Sequence, residues 1–128
     1  ADRRLGGENM SRMVVIFEVT PFDDASKEEY LELSASLRPL LVDHGGFLGG
    51  ERFQSLSDPR KLLSINFWDS EEELEKWRNR AEHRMAQLAG RERLFESYRI
   101  TVAEVARTYS MDDRAQAPED SNKHFQVD

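Results

Sequence analysis

"KLLSINFWDSEEELEKWRN", Lys61 to Asn79, decides the fold. Its first half alternates. Leu63, Ile65 and Phe67 fall on one face, and Ser64, Asn66 and Trp68 on the other, as in a pleated strand. Asp69 or Ser70 then stands where a helix N-cap is wanted, with Glu71 to Glu73 in the first turn, where the helix dipole favours carboxylates. Leu74, Trp77, Ala81, Met85 and Leu88 follow on one helical stripe. The period changes from two to 3.6 within three residues, so a strand runs straight into a helix.

The same change occurs once before. "MVVIFEV", Met13 to Val19, is β-branched and apolar on both faces and reads as a buried strand. Asp24 or Ser26 can cap the helix that follows. Tyr30, Leu33, Leu37 and Leu40/Leu41 recur at helical spacing to about His44, where "HGG" stops it. "FLGGERFQSLSD", Phe47 to Asp58, reads as a strand with an irregularity at Gly49-Gly50. "SYRITVAEVARTY", Ser97 to Tyr109, is a last strand. The order β-α-β-β-α-β predicts an α+β, ferredoxin-like fold, a four-stranded antiparallel sheet with both helices on one face. Val14, Ile16, Leu62 and Trp68 are expected on the other face. A second copy packed sheet against sheet would cover them, giving a homodimer of the dimeric α/β-barrel kind. Asn66 is expected at that interface.

Composition narrows the function. The chain has 128 residues, one domain's worth, with no cysteine. Thiolate catalysis, cysteine metal sites and disulfides are therefore excluded. A net charge of -7 argues against a nucleic-acid partner. No apolar run is long enough to span a membrane, so no membrane role is expected. "ADRRLGGENMSR" holds no apolar segment of a secretory leader. Residues 1–12 are expected to be a flexible start, 13–110 the domain, and 111–128 a polar, acidic tail without period. A cytoplasmic location follows by default. His44, His83 and His124 are too scattered to hold a metal. "HGGFLGG" precedes a strand, so it is no phosphate loop.

"GFLGGERFQSLSDPRKLLSINFWDSEEELEKWRN", then "EHRMAQLAGRERLFESYRITVAEVARTY", resemble the antibiotic biosynthesis monooxygenase (ABM) domain in order and spacing. With the first strand the resemblance runs from about Met13 to Tyr109. It implies a dimeric ferredoxin-like oxidoreductase with a pocket between helices and sheet in each subunit. Members include cofactor-free oxygenases of phenols and quinols and heme-degrading monooxygenases. In the heme-degrading branch the pocket uses an asparagine on the first strand, a tryptophan on the second helix and an iron-ligating histidine beyond it. The tryptophan position matches Trp77. The asparagine position falls on Val19. The histidine position falls near Gln87, with His83 the nearest histidine.

Trp77 and His83 are therefore the candidate catalytic residues, with Trp77, Arg84, Gln87, Val19 and Phe17 as candidate ligand contacts. Trp77 can be a pocket wall or a plain core aromatic. His83 lies about 240° around an ideal helix from Trp77, which faces it away. A helix break at Asn79-Arg80 would swing it inward, where neutral imidazole could act as base or iron ligand. Arg84 could reach an anionic ligand. Arg78, Arg80, Arg91 and Arg93 read as a solvated face balanced by glutamates. Three functions stay open: a monooxygenase of an aromatic or electron-rich small molecule with no cofactor, the same with heme, and a non-catalytic binder or structural dimer.

Overall fold

The computed structural model describes residues 11–89 and 94–125. The elements follow the predicted order: β1 (Met13–Pro21), α1 (Asp24–Asp43), β2 (Phe47–Gln54), β3 (Leu62–Trp68), α2 (Glu71–Ala89) and β4 (Phe95–Glu104). A short helix, α3 (Glu119–Phe125), follows. The four strands form one antiparallel sheet in the order β2-β3-β1-β4. This is the expected ferredoxin-like α+β architecture.

Local chemistry sets the helix ends. Asp23, one residue before the expected cap, accepts from the Ser26 backbone N–H at 2.8 Å and opens α1. Ser70 does the same for α2, accepting from the Glu73 N–H at 3.2 Å. The His44 N–H closes α1 on the Leu41 carbonyl. Gly46 then takes φ 90°, a left-handed conformation, where a Cβ would stand 2.6 Å from the Glu73 Cβ. The expected irregularity in β2 is present as a register shift between Phe47 and Gly49 against β3.

The register decides which residues meet. Met13 pairs with Trp68, Val15 with Asn66, Phe17 with Ser64 and Val19 with Leu62. All eight lie on the helix face, because alternation puts opposed residues on the same side. The sequence expectation for Leu62, Trp68 and Asn66 is thereby corrected. Trp68 and Leu62 are core residues under the helices, and Asn66 lies on the helix side. The outer face carries Val14 and Ile16 as expected, and beside them Leu63, Ile65 and Phe67, with Phe67 40% exposed.

The core falls into two small clusters. Met13, Trp68 and Leu74 form one, with Leu41, Phe47 and Trp77 packed against it. Val19, Tyr30 and Leu62 form the other, with Phe17, Leu31 and Phe95 around it. The segment after β4 makes local contacts of its own and carries α3. Arg114 organises it, bonding Asn122 at 2.9 Å and Ser121 at 3.2 Å and lying 5.1 Å over the Tyr109 ring. The expected flexible start falls largely on residues 1–10, outside the described residues.

On the outer face Glu18 sits between Arg99 at 2.7 Å and Lys61 at 3.1 Å. The Arg99 hydrogen bond, then that of Lys61, holds the Glu18 carboxyl below its ordinary value of 4.5. A carboxyl depressed by folding adds stability above its unfolded value, and that contribution is lost as pH falls through the folded one. Glu18→Gln should therefore flatten the acid side of a plot of melting temperature against pH, from about 4.5 downward, with little change in slope at higher pH. Parallel curves for the two proteins on the acid side would disprove this.

Candidate ligand-binding cleft

The two core clusters hold the helices off the sheet, and the space between them is an open cleft of about 990 Å³. That is the upper end of the size range for small-molecule sites. One end is walled by Trp68 and Trp77, whose rings stack at 6.3 Å and 28°. The other end is aromatic too. Phe17 contacts Tyr30, Phe95 and Tyr98 with ring centroids 5.9 to 6.3 Å apart. The β4 side adds Ile100 and Val102, both largely exposed.

Polar groups enter from the strands. Ser64 and Asn66 of β3 and Arg52 of β2 line the cleft. Asn66 has its place because Gly50 opposite has no side chain: a Cβ there would collide with the Asn66 amide oxygen. Three carboxylates, Glu71, Glu75 and Glu82, line it from α2, and Glu82 is tied to Arg78 at 3.6 Å.

Behind the tryptophan wall lies His44. Its ring meets Trp68 and Trp77 edge-on at 5.8 and 5.5 Å. Its Nδ1 is 3.3 Å from an Arg80 guanidinium nitrogen, which can only donate, so Nδ1 accepts in this contact, and the other ring nitrogen is Nε2. That atom is buried without a hydrogen bond, 3.7 Å from the Glu73 carboxylate. His44 braces the wall and is not among the residues lining the cleft.

The sequence candidates separate. Trp77 and Phe17 line the cleft. Val19 is 1% exposed, sealed inside the second core cluster. The α2 helix is continuous through Asn79-Arg80, so the alternative of a break is overturned. His83 consequently stays on the exposed side, and neither it nor Arg84 lines the cleft. The Gln87 side chain lies outside the described residues. Sequence reasoning passed over Arg52 and Tyr98. Alternation along β2 and β4 carried the signal for both, since each is opposed to a helix-face residue, Ser64 and Val19. Among the described residues no group of three or more His, Cys, Asp or Glu could hold a metal ion. No helix among them is long and apolar enough to cross a membrane.

Comparison with known proteins agrees with this architecture. Residues 12–88 match the family model "Antibiotic biosynthesis monooxygenase". The chain is 42% identical over 91 residues to "Jasmonate monooxygenase ABM" of Pyricularia oryzae, covering 71% of this chain and 42% of that protein. It thus spans about two-fifths of that relative's length. It is 36% identical over 78 residues to the uncharacterized protein YqjZ of Bacillus subtilis, covering 61% and 67% of the two chains. Among solved structures, Rv0793 of Mycobacterium tuberculosis superposes with TM-score 0.65 at 16% identity, covering 78% of this chain and 100% of that one. A mutant of SnoaB, a cofactor-independent oxygenase from Streptomyces nogalater, superposes with TM-score 0.63 at 10% identity, covering 77% and 96%. Those two likenesses speak for the fold. The family match and the curated relative say more: this chain belongs to the antibiotic biosynthesis monooxygenase family.

Proposed function

We propose that the chain is a monooxygenase of a ring-bearing, electron-rich small molecule, with the reaction taking place in the cleft. The carrying observation is a roomy cleft walled by aromatic rings in a chain of this family. The curated relative's name, a jasmonate monooxygenase, supports the reaction class.

The chemistry asks little of the side chains. An activated methylene between unsaturated groups loses a proton, and the carbanion passes electrons to dioxygen. A carbon-oxygen bond forms, and loss of water from the peroxide leaves a ketone. Overall CH2 + O2 becomes C=O + H2O, with all electrons drawn from the substrate, so no reductant or cofactor is consumed. The protein then has to bind the ring, exclude water and hold the reacting carbon. Trp77 and the Phe17 cluster offer flat apolar walls for the first two tasks.

The heme alternative is less well supported. Among the described residues no histidine lines the cleft, and the continuous α2 leaves His83 outside it. We also propose that a second copy covers the outer sheet face, since Ile16, Ile65 and Phe67 form an apolar stripe there.

Oxygen uptake tests the main reading. The chain, offered an anthrone, should consume one O2 per quinone formed and place one labelled atom from 18O2 in the product. Jasmonic acid should be tried beside it with ascorbate, since hydroxylation of an unactivated carbon draws two electrons from outside. Binding without uptake for both would leave the non-catalytic binder ahead.

Two variants test the site. Trp77→Ala should weaken calorimetric binding of a flat aromatic probe at least tenfold, at a stability cost of about 3 kcal/mol or less, because its ring is only half-buried. His83→Ala should leave both binding and turnover within about twofold of the native chain, as expected of an exposed surface residue. Loss of turnover in His83→Ala would return that residue to the site.

Ile65→Glu should weaken self-association, because a charge buried in an apolar interface is costly. Light scattering that finds the native chain monomeric would refute the dimer.

A further inference from the structure

Of the arginines that line the cleft, Arg38 and Arg52 each lie over an aromatic ring, Phe47 and Tyr30, and Arg52 has hydroxyls beside it. Arg99 is bound by Glu18 at 2.7 Å, Arg60 by Glu96 at 3.0 Å and Arg78 by Glu82 at 3.6 Å. Arg52 has no carboxylate partner among the described residues, in a chain where 25 acidic residues face 18 basic ones. Its guanidinium instead lies 5.2 Å over the ring of Tyr30, which is 5% exposed. A ring face positions a guanidinium without neutralising it, so the planar fork keeps its charge and its donors.

Hydroxyls gather beside it. Ser64 is the register partner of Arg52 on β3. Tyr30 comes from α1, and all three line the cleft. Neither the Ser64 nor the Tyr30 hydroxyl has a hydrogen-bond partner among the described residues. Neither hydroxyl atom is buried, so both reach the solvent-filled cleft and are free to donate to an acceptor bound there. The acidic lining of the cleft is Glu71, Glu75 and Glu82 of α2 with Glu51 of β2, which is opposed to Ile65 and so belongs by alternation to the outer sheet face and reaches only the rim. The aromatic cluster of Phe17, Phe95 and Tyr98 adjoins Tyr30.

We propose that Arg52, Tyr30 and Ser64 form a carboxylate-binding subsite, so that the cleft selects ring-bearing molecules that carry a carboxylate. The inference rests on the cleft being the ligand site. It makes Arg52 a specificity-determining residue: the guanidinium takes the carboxylate in a two-pronged grip, the hydroxyls donate the remaining bonds, and the ring extends along the aromatic walls toward Trp77.

Calorimetry with 2-naphthoate and its neutral analogue 2-naphthalenemethanol tests it on the full chain. A charge-assisted hydrogen bond is worth about 1.5–3 kcal/mol, or about 10- to 100-fold in affinity. The native chain should therefore bind naphthoate at least about tenfold more tightly than the alcohol. Arg52→Gln should erase that preference and leave alcohol binding unchanged, whereas Arg52→Lys should keep part of it. Arg38→Gln, at the Phe47 end of the cleft, should keep all of it. Equal binding of both probes by the native chain overturns the subsite and leaves the cleft standing. So does a preference that survives Arg52→Gln or disappears in Arg38→Gln. Equal weakening of both probes in Arg52→Gln, with Arg52→Lys no better, makes Arg52 a packing residue on Tyr30 and also overturns the subsite. Binding of neither probe by the native chain refutes the cleft as the site, and the subsite with it.

Discussion

The contact of Trp68 with its neighbours is the constraint on which the rest depends. Trp68 ends β3 at 1% exposure, beside Met13 across the sheet. Its ring meets Phe47 of β2, Trp77 of α2 and His44 at the end of α1. One side chain thus ties together three strands and both long helices at a single corner. Burying an indole of that size is among the larger single contributions a small core can gain. The corner also sets the spacing: aromatic rings stacked edge to face and face to face are thick, and they prop the helices away from the sheet. The cleft is what lies beyond the prop.

Such a core is thin for its chain length. Besides the two clusters, much of the apolar surface on β4 stays open, with Tyr98, Ile100 and Val102 about half exposed or more on the cleft side. The outer face adds Phe53 and Phe67. The chain therefore keeps apolar area uncovered on both sides of one sheet. A bound ligand on one face and another copy on the other would each remove part of that area from water and raise stability by mass action.

The order of elements was legible because each depends on local periodicity, and "KLLSINFWDSEE" shows both periods within a dozen residues. The facing of β3 was legible only in part. Alternation grouped Ser64, Asn66 and Trp68 correctly, but which group looks at the helices is a tertiary matter. Three apolar residues against one tryptophan and two polar residues suggested the wrong answer. The cleft explains the inversion: its face is where polar side chains are tolerated, because it is not packed solid. The site followed the same division. Trp77 was readable from the helical stripe, whereas the orientation of His83 hinged on whether "RNRA" breaks the helix. Arg78, Arg80 and Ala81 around Asn79 are good helix formers, and the helix continues. Arg52 was hidden because a charged residue on an edge strand looks like surface. Only the register against Ser64 places it on the cleft side of the sheet.

Trp68 and Trp77 are the only tryptophans in the chain. They lie stacked at 6.3 Å on one wall of the cleft. Two indoles that close share their excited states, and their transition dipoles couple. The near-ultraviolet circular dichroism and intrinsic emission of this protein will therefore be dominated by one local geometry. They report the gap between α2 and the sheet, and a ring entering that gap will alter them even where the rest of the fold is unmoved. An optical melting curve followed at these wavelengths describes the opening of one corner, and it equals global unfolding only if the amide signal follows the same course.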